Sequence, residues 1–140
     1  MSQQNKQIAR RFLHAFAEGD VAALEAIVAE DVRDSQAPPG SRPGRQGLLD
    51  AVAMFRTGLP DLEISIEREV AEGDLVAVNG TVAGTHRGPM LGAPATGRRV
   101  TFAFMDLYRI AGGRIVETWH VEDIAGLMGQ LGLHHAISPG

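Results

Sequence analysis

The chain has 140 residues, a formal net charge of −4 and no cysteine. The length suits one domain with its own core, and a chain that is mildly acidic, with no Lys/Arg cluster beyond a pair such as Arg98-Arg99, lacks the footprint of a nucleic-acid binder. The missing thiols exclude disulfides, thiolate catalysis and Cys-ligated metals.

Residues 3–17 predict an amphipathic helix. Ile8, Phe12, Leu13 and Phe16 recur at helical spacing, with Lys6, Arg10 and Arg11 on the polar side. Gly19 breaks the pattern, and Asp20 suits the N-cap of a short second helix over residues 21–29. Residues 31–35 form a short strand. Residues 36–44 contain three prolines and two glycines and read as a loop. A third helix spans about 45–57 and carries Leu48, Leu49, Val52 and Phe55 as its apolar stripe, stopped by Gly58 and Pro60.

From Asp61 onward the period becomes two. Leu62, Ile64 and Ile66 alternate with polar residues, Glu72-Gly73-Asp74 marks a hairpin, and residues 75–85 form the next strand. A Gly/Pro-rich excursion over 84–97 precedes a long strand over 98–110. Ala111-Gly112-Gly113 turns the chain into a last strand ending near Val121. A short helix over 123–131 and a loose tail follow, so the domain fills the whole chain, 1–140, with a core over about 3–132.

Three helices and one short strand, followed by four long strands, indicate an α+β fold. Its curved antiparallel sheet wraps over the three N-terminal helices as a cone. The start of the chain is polar and no apolar run approaches the ~20 residues of a membrane span, so a cytoplasmic location away from the membrane is expected.

The second half carries a recognisable succession of motifs. These are Leu59-Pro60-Asp61-Leu62, Glu72-Gly73-Asp74-Leu75-Val76, Gly84-Thr85-His86-Arg87-Gly88, the segment 92–97, Gly113 to Trp119, and Asp123 to Gly132. In order and spacing they resemble the SnoaL-like polyketide cyclases, or ester cyclases, of the nuclear transport factor 2-like superfamily. One departure stands out: the family's usual Pro-Pro-Thr-Gly reads Pro94-Ala95-Thr96-Gly97 here. The resemblance implies a cone-shaped, usually dimeric protein with an internal pocket for a small hydrophobic substrate. It also implies a cofactor-free intramolecular aldol closure. Isomerases, epoxide hydrolases and binding proteins share the same cone, so a non-catalytic binder and a hydrolase or isomerase stand as alternatives.

Asp123 follows Trp119 by four residues and matches the aspartate that the resemblance assigns as acid/base; it also stands where the last helix needs an N-cap. His86 ends a strand before the flexible excursion and matches the family's Gly-Thr-His segment. It is a candidate hydrogen-bond donor to a substrate carbonyl, or a turn histidine. Trp119 and His120 are adjacent, so a regular strand turns them to opposite faces. Trp119 shares its parity with Val121 and Asp123; if it faces the pocket, His120 faces the helices, a partner subunit or solvent, and both residues are kept as candidate substrate contacts. Asp34 and Asp106 lie in apolar strand contexts, where a buried carboxylate needs a partner; each is a candidate second acid, a group that orients a histidine, or a structural partner of Arg109 or Arg33. Phe12, Phe16, Met54, Phe55 and Phe104 complete the expected lining. No metal is expected: His134 and His135 are adjacent, with no further ligand at useful spacing. The apolar alternation on the outer strand faces suggests a homodimer through the sheet.

Overall fold

The computed structural model describes residues 2–133, and His134 and His135 lie outside the described residues. Two helices open the chain, α1 (Ser2–Glu18) and α2 (Val21–Ile27), joined at Gly19 with φ +69°, a left-handed turn that glycine adopts without strain. Asp20 caps α2 by accepting a hydrogen bond from the Ala23 N–H at 3.1 Å. The chain passes directly into β1 (Val28–Asp34), then α3 (Gly44–Gly58). Four strands follow, β2 (Glu63–Glu72), β3 (Leu75–Thr85), β4 (Arg99–Ala111) and β5 (Arg114–Glu122), and α4 (Ile124–Gln130) ends the fold. No helix among the described residues is long and apolar enough to cross a membrane.

The five strands make one curved sheet in the order β1-β5-β4-β3-β2. The four long strands form the expected antiparallel meander, but β1 pairs with β5 in parallel, so the sheet is mixed. The long connection through α3 and the meander brings the short first strand back to the far edge. It thereby sets Arg33 and Asp34 against Glu117 and Thr118.

The helices cover the concave face. Ile8, Phe12 and Leu13 of α1, Leu48 and Val52 of α3, and Val78, Val100 and Phe102 of the sheet share one buried cluster. An ion pair from Arg10 Nε to Glu69 at 2.8 Å fastens α1 over β2. The Arg56 guanidinium donates to the carbonyls of Ala17 at 2.8 Å and Pro60 at 3.0 Å, which ties α3 to the end of α1.

Two irregularities shape the sheet. One lies between Ile66 and Arg68 on β2, the other between Arg109 and Ile110 against β5. Bulges of this kind bend a strand and sharpen its twist. Near the first, Gly80 is buried, with the Phe104 ring against it. A Cβ there would overlap the Ser65 carbonyl oxygen. Gly80→Ala is therefore expected to destabilise the fold by about 1–3 kcal/mol, the usual cost of overpacking a tight interior. Urea unfolding measures it, and a stability unchanged from the parent would show that the bend does not depend on this close approach.

Candidate active site

The cone holds a partly open cavity of about 100 Å³ between α1, α3 and the inner sheet face. Most of the wall is apolar. Phe12 and Phe16 of α1, Phe55 of α3, and Phe102 and Phe104 of β4 supply its aromatic part. Phe16 and Phe55 lie 6.0 Å apart between ring centroids, and Phe55 stacks on Phe102 at 6.3 Å. Aromatic pairs at this range add a modest attraction to their buried area, which fixes the wall's shape.

The polar wall comes from the ends of three neighbouring strands. Alternation along a strand puts residues i and i+2 on one face. Asp106 and Tyr108 thus look inward from β4, and Thr118, His120 and Glu122 look inward from β5. Cross-strand pairing sets Asp106 opposite His120, and Tyr108 opposite Thr118. Asp34, the last residue of β1, joins them because parallel pairing places it beside Thr118.

His120 is the hub. Its Nε2 lies 3.0 Å from Asp34 Oδ1, and its Nδ1 lies 2.8 Å from Glu122 Oε1. These hydrogen bonds, first to Asp34 and then to Glu122, raise the imidazole to about 10 against the opposing effect of burial. The ring is therefore cationic at neutral pH, with both N–H groups donating to carboxylates, and offers no lone pair to a metal. For Asp34, burial raises the carboxyl, but the His120 hydrogen bond and charge, helped by the Gln36 N–H, hold it below its ordinary value. Gln36 also uses its side-chain oxygen to accept from the His120 backbone N–H at 3.1 Å, so the loop after β1 braces the pair.

Asp106 behaves oppositely. Burial pushes it up to about 7, against the stabilising hydrogen bond from the Tyr108 hydroxyl at 2.5 Å, and the Glu122 charge adds to the rise. Tyr108 itself is raised well above its ordinary value by burial and by the neighbouring carboxylate. The cavity thus holds one ion-paired imidazolium and, facing it across the strand pair, one carboxyl whose proton is loosely held near neutral pH.

Of the residues anticipated from sequence, Phe12, Phe16, Phe55, Phe104, Asp34, Asp106 and His120 line this cavity. Met54 is 40% exposed on α3 and does not. Trp119 stands on the outer face, with the Arg109 guanidinium 6.0 Å from its ring centroid. Trp119 does share a face with Val121, but that face is the outer one, with Val121 66% exposed. Ile115 and Thr118, three apart, both face in, and the alternation resumes with His120 and Glu122.

Asp123 is outside the lining: its carboxylate accepts from the Gly126 N–H at 2.9 Å as the N-cap of α4, and its own N–H donates to the Ala103 carbonyl. His86 is also outside. It is fully buried at the end of β3, where Nδ1 accepts from the Thr96 N–H at 3.2 Å and meets the Thr96 hydroxyl at 2.9 Å. That histidine clasps the two ends of the 86–97 excursion. Glu122, Thr118 and Tyr108 complete the polar wall and are not among the residues anticipated from sequence. The usable signal was their i, i+2 relation to His120 and Asp106.

The model of the family described as SnoaL-like polyketide cyclase matches residues 6–131. The chain belongs to this family. Its architecture agrees with solved structures. It is similar to TsrD from Streptomyces laurentii, with 30% identity, a TM-score of 0.88, and coverage of 96% of this chain and 98% of that one. It is also similar to IdmH, a candidate polyketide cyclase from Streptomyces antibioticus, at 30% identity and a TM-score of 0.81, covering 93% and 99% of the two chains. A third, a candidate polyketide cyclase from Bacillus cereus, shares 29% identity over 94% of this chain and 83% of its own, with a TM-score of 0.83. No curated protein matches the chain.

The ion-paired histidine has a thermodynamic signature. Its folded pKa, about 10, lies above the ordinary imidazole value of about 6.5. The stabilisation is fully present below pH 6.5 and is lost as pH rises from there through 10. Denaturant unfolding should therefore show stability declining across pH 7–10 in the parent. His120→Gln, which removes the proton, should flatten that decline; an equal slope in both proteins would deny that His120 is held cationic.

Proposed function

We propose that the protein is a cofactor-independent acid/base catalyst that closes a ring in a small hydrophobic carbonyl compound by an aldol-type step. The observation carrying this reading is Asp106, a buried carboxyl that faces an apolar cavity, is hydrogen-bonded by Tyr108 and titrates near neutral pH. A general base works best when its pKa lies near the operating pH. In its ionised form Asp106 takes a proton from the carbon next to a carbonyl. The enolate carbon then attacks a second carbonyl of the same molecule. A carbon–carbon bond forms, and the resulting alkoxide regains the proton from Asp106. The His120 cation opposite favours the ionised form of Asp106 and offsets part of the repulsion from Asp34 and Glu122. The aromatic wall folds the substrate so that the two carbons meet, and such positioning can supply on the order of 7–11 kcal/mol.

Sequence reasoning placed the base at Asp123 and the donor at His86. With Asp123 committed to capping α4 and His86 to clasping its loop, Asp106 and His120 are better supplied with contact to the cavity. A simple aryl ketone tests the difference. The protein should accelerate exchange of deuterium from solvent into the α-carbon of phenylacetone, followed by NMR, with a rate that rises as pH passes through about 7, where Asp106 ionises. Asp106→Asn should lower that rate by about 10²–10⁴-fold, and Asp123→Asn should leave it within about twofold, since Asn caps a helix as well as Asp. Phenylacetone that binds without exchanging would favour the non-catalytic binder.

We also propose that two copies pair through the outer sheet face. Cross-strand partners share a face, so Val70, Ala77, Leu107 and Trp119 run in line across four strands, beside Met105 and Val121. Val70 is 65% exposed, Met105 61% and Val121 66%. Contiguous apolar surface of this kind is characteristic of an interface. Light scattering at micromolar concentration should give a dimer mass, and Met105→Glu should return a monomer; a monomeric parent would refute the pairing.

A further inference from the structure

The polar end of the cavity has an unequal stock of hydrogen-bonding groups, and the imbalance says what a ligand brings. The imidazole and phenol donors are already used. Both N–H groups of His120 go to Asp34 and Glu122, and the Tyr108 hydroxyl goes to Asp106 Oδ2. The Thr118 hydroxyl is the remaining donor; it is buried beside Asp34 and helps to hold that carboxylate ionised.

The acceptors are in excess. Asp34 spends both oxygens on His120 and on the Gln36 N–H. Glu122 spends only Oε1 and Asp106 only Oδ2. Among the described residues Glu122 Oε2 and Asp106 Oδ1 have no hydrogen-bond partner, and both side chains line the cavity. Charge points the same way. Three carboxyl groups and one imidazole face the cavity from β1, β4 and β5. No Lys or Arg lines it, and the lining residues of α1 and α3 are all uncharged. Arg109 and Arg33 lean on Asp74 and Glu117, neither of which lines the cavity.

We propose that the cavity selects a ligand whose head group donates hydrogen bonds and carries no negative charge, such as a phenol or enol hydroxyl, seated on Glu122 Oε2 and Asp106 Oδ1 with its apolar body among the phenylalanines. This rests on the cavity being a small-molecule site, and it adds which end of the ligand the site reads. A carboxylate head meets only acceptors of its own sign. An ether or ester head leaves the two carboxyl oxygens unpaired in a space it has emptied of water, which is costly.

Three single-ring probes of nearly equal size separate the possibilities: 4-ethylphenol, 4-ethylanisole and 4-ethylbenzoate. Calorimetric titration at pH 8.5 keeps both carboxylates ionised and the phenol protonated. The phenol should bind about tenfold or more tighter than the anisole, as a hydrogen bond to a charged acceptor warrants. The benzoate should bind about tenfold or more weaker than the anisole. Glu122→Met should shrink the phenol's advantage to about threefold or less, with anisole binding held within about twofold as evidence that the pocket is intact. Phenol and anisole binding alike, or benzoate binding as well as either, would overturn this inference and leave the pocket standing. Failure of all three to bind would remove the small-molecule site itself, and this inference with it.

Discussion

The candidate site depends on a register. β4 and β5 pair so that Asp106 faces His120, and the irregularity beside Ile110 makes this possible. A strand without it would carry its alternation from Ile115 to Glu117 and Trp119. That register would bring an indole into the cavity and turn the imidazole outward. One displaced residue exchanges the two faces of a strand completely. The parallel pairing of β1 adds Asp34 to the same corner. Three segments far apart in the chain thus meet at one cluster, held by backbone hydrogen bonds rather than by the ionisable groups themselves.

That division matters energetically. Three carboxyl groups around one imidazole in an apolar cone repel one another, and burial penalises each charge. The cluster resolves the conflict by splitting it. His120 binds two carboxylates and stays charged with them, while Asp106, left with only the Tyr108 hydroxyl, carries the cost as a raised affinity for its proton. Proton-transfer sites commonly arise where neighbouring groups are driven apart in this way.

Much of this was legible in the chain before any coordinates. Helical spacing at Ile8, Phe12 and Phe16 fixed the first helix, and the switch to period two at Asp61 fixed the meander. The motif order named the family. Phe55, Phe104, Asp34 and Asp106 were found because a polar or aromatic residue inside an apolar pattern has few places to go. The face of Trp119 was not legible, because both sides of the sheet are apolar: Val121 and Met105 look as inward as Phe102 and Phe104 do. Alternation alone cannot separate a core from an outer apolar face, and a bulge leaves no compositional mark here. For Asp123 the short-range reading and the family reading competed, and the carboxylate sits on the Gly126 N–H as a local cap does. The parallel edge strand was hidden for another reason. Its partner lies over eighty residues away, beyond the reach of any local pattern.

The clasp at His86 has a consequence for how such proteins diversify. The Thr96 N–H and hydroxyl meet the imidazole, and backbone bonds link His86 with Gly97 and Arg98. The ends of the excursion are thus stapled together, and no residue from 86 to 97 lines the cavity. Closing a longer insert between fixed ends costs little, because loop entropy grows only with the logarithm of length. Within the excursion Met90 is buried in the core against Gly58, so the freedom to change length and chemistry falls to the exposed residues at the rim, Gly92, Pro94 and Ala95, and a change there leaves the proton-handling corner untouched.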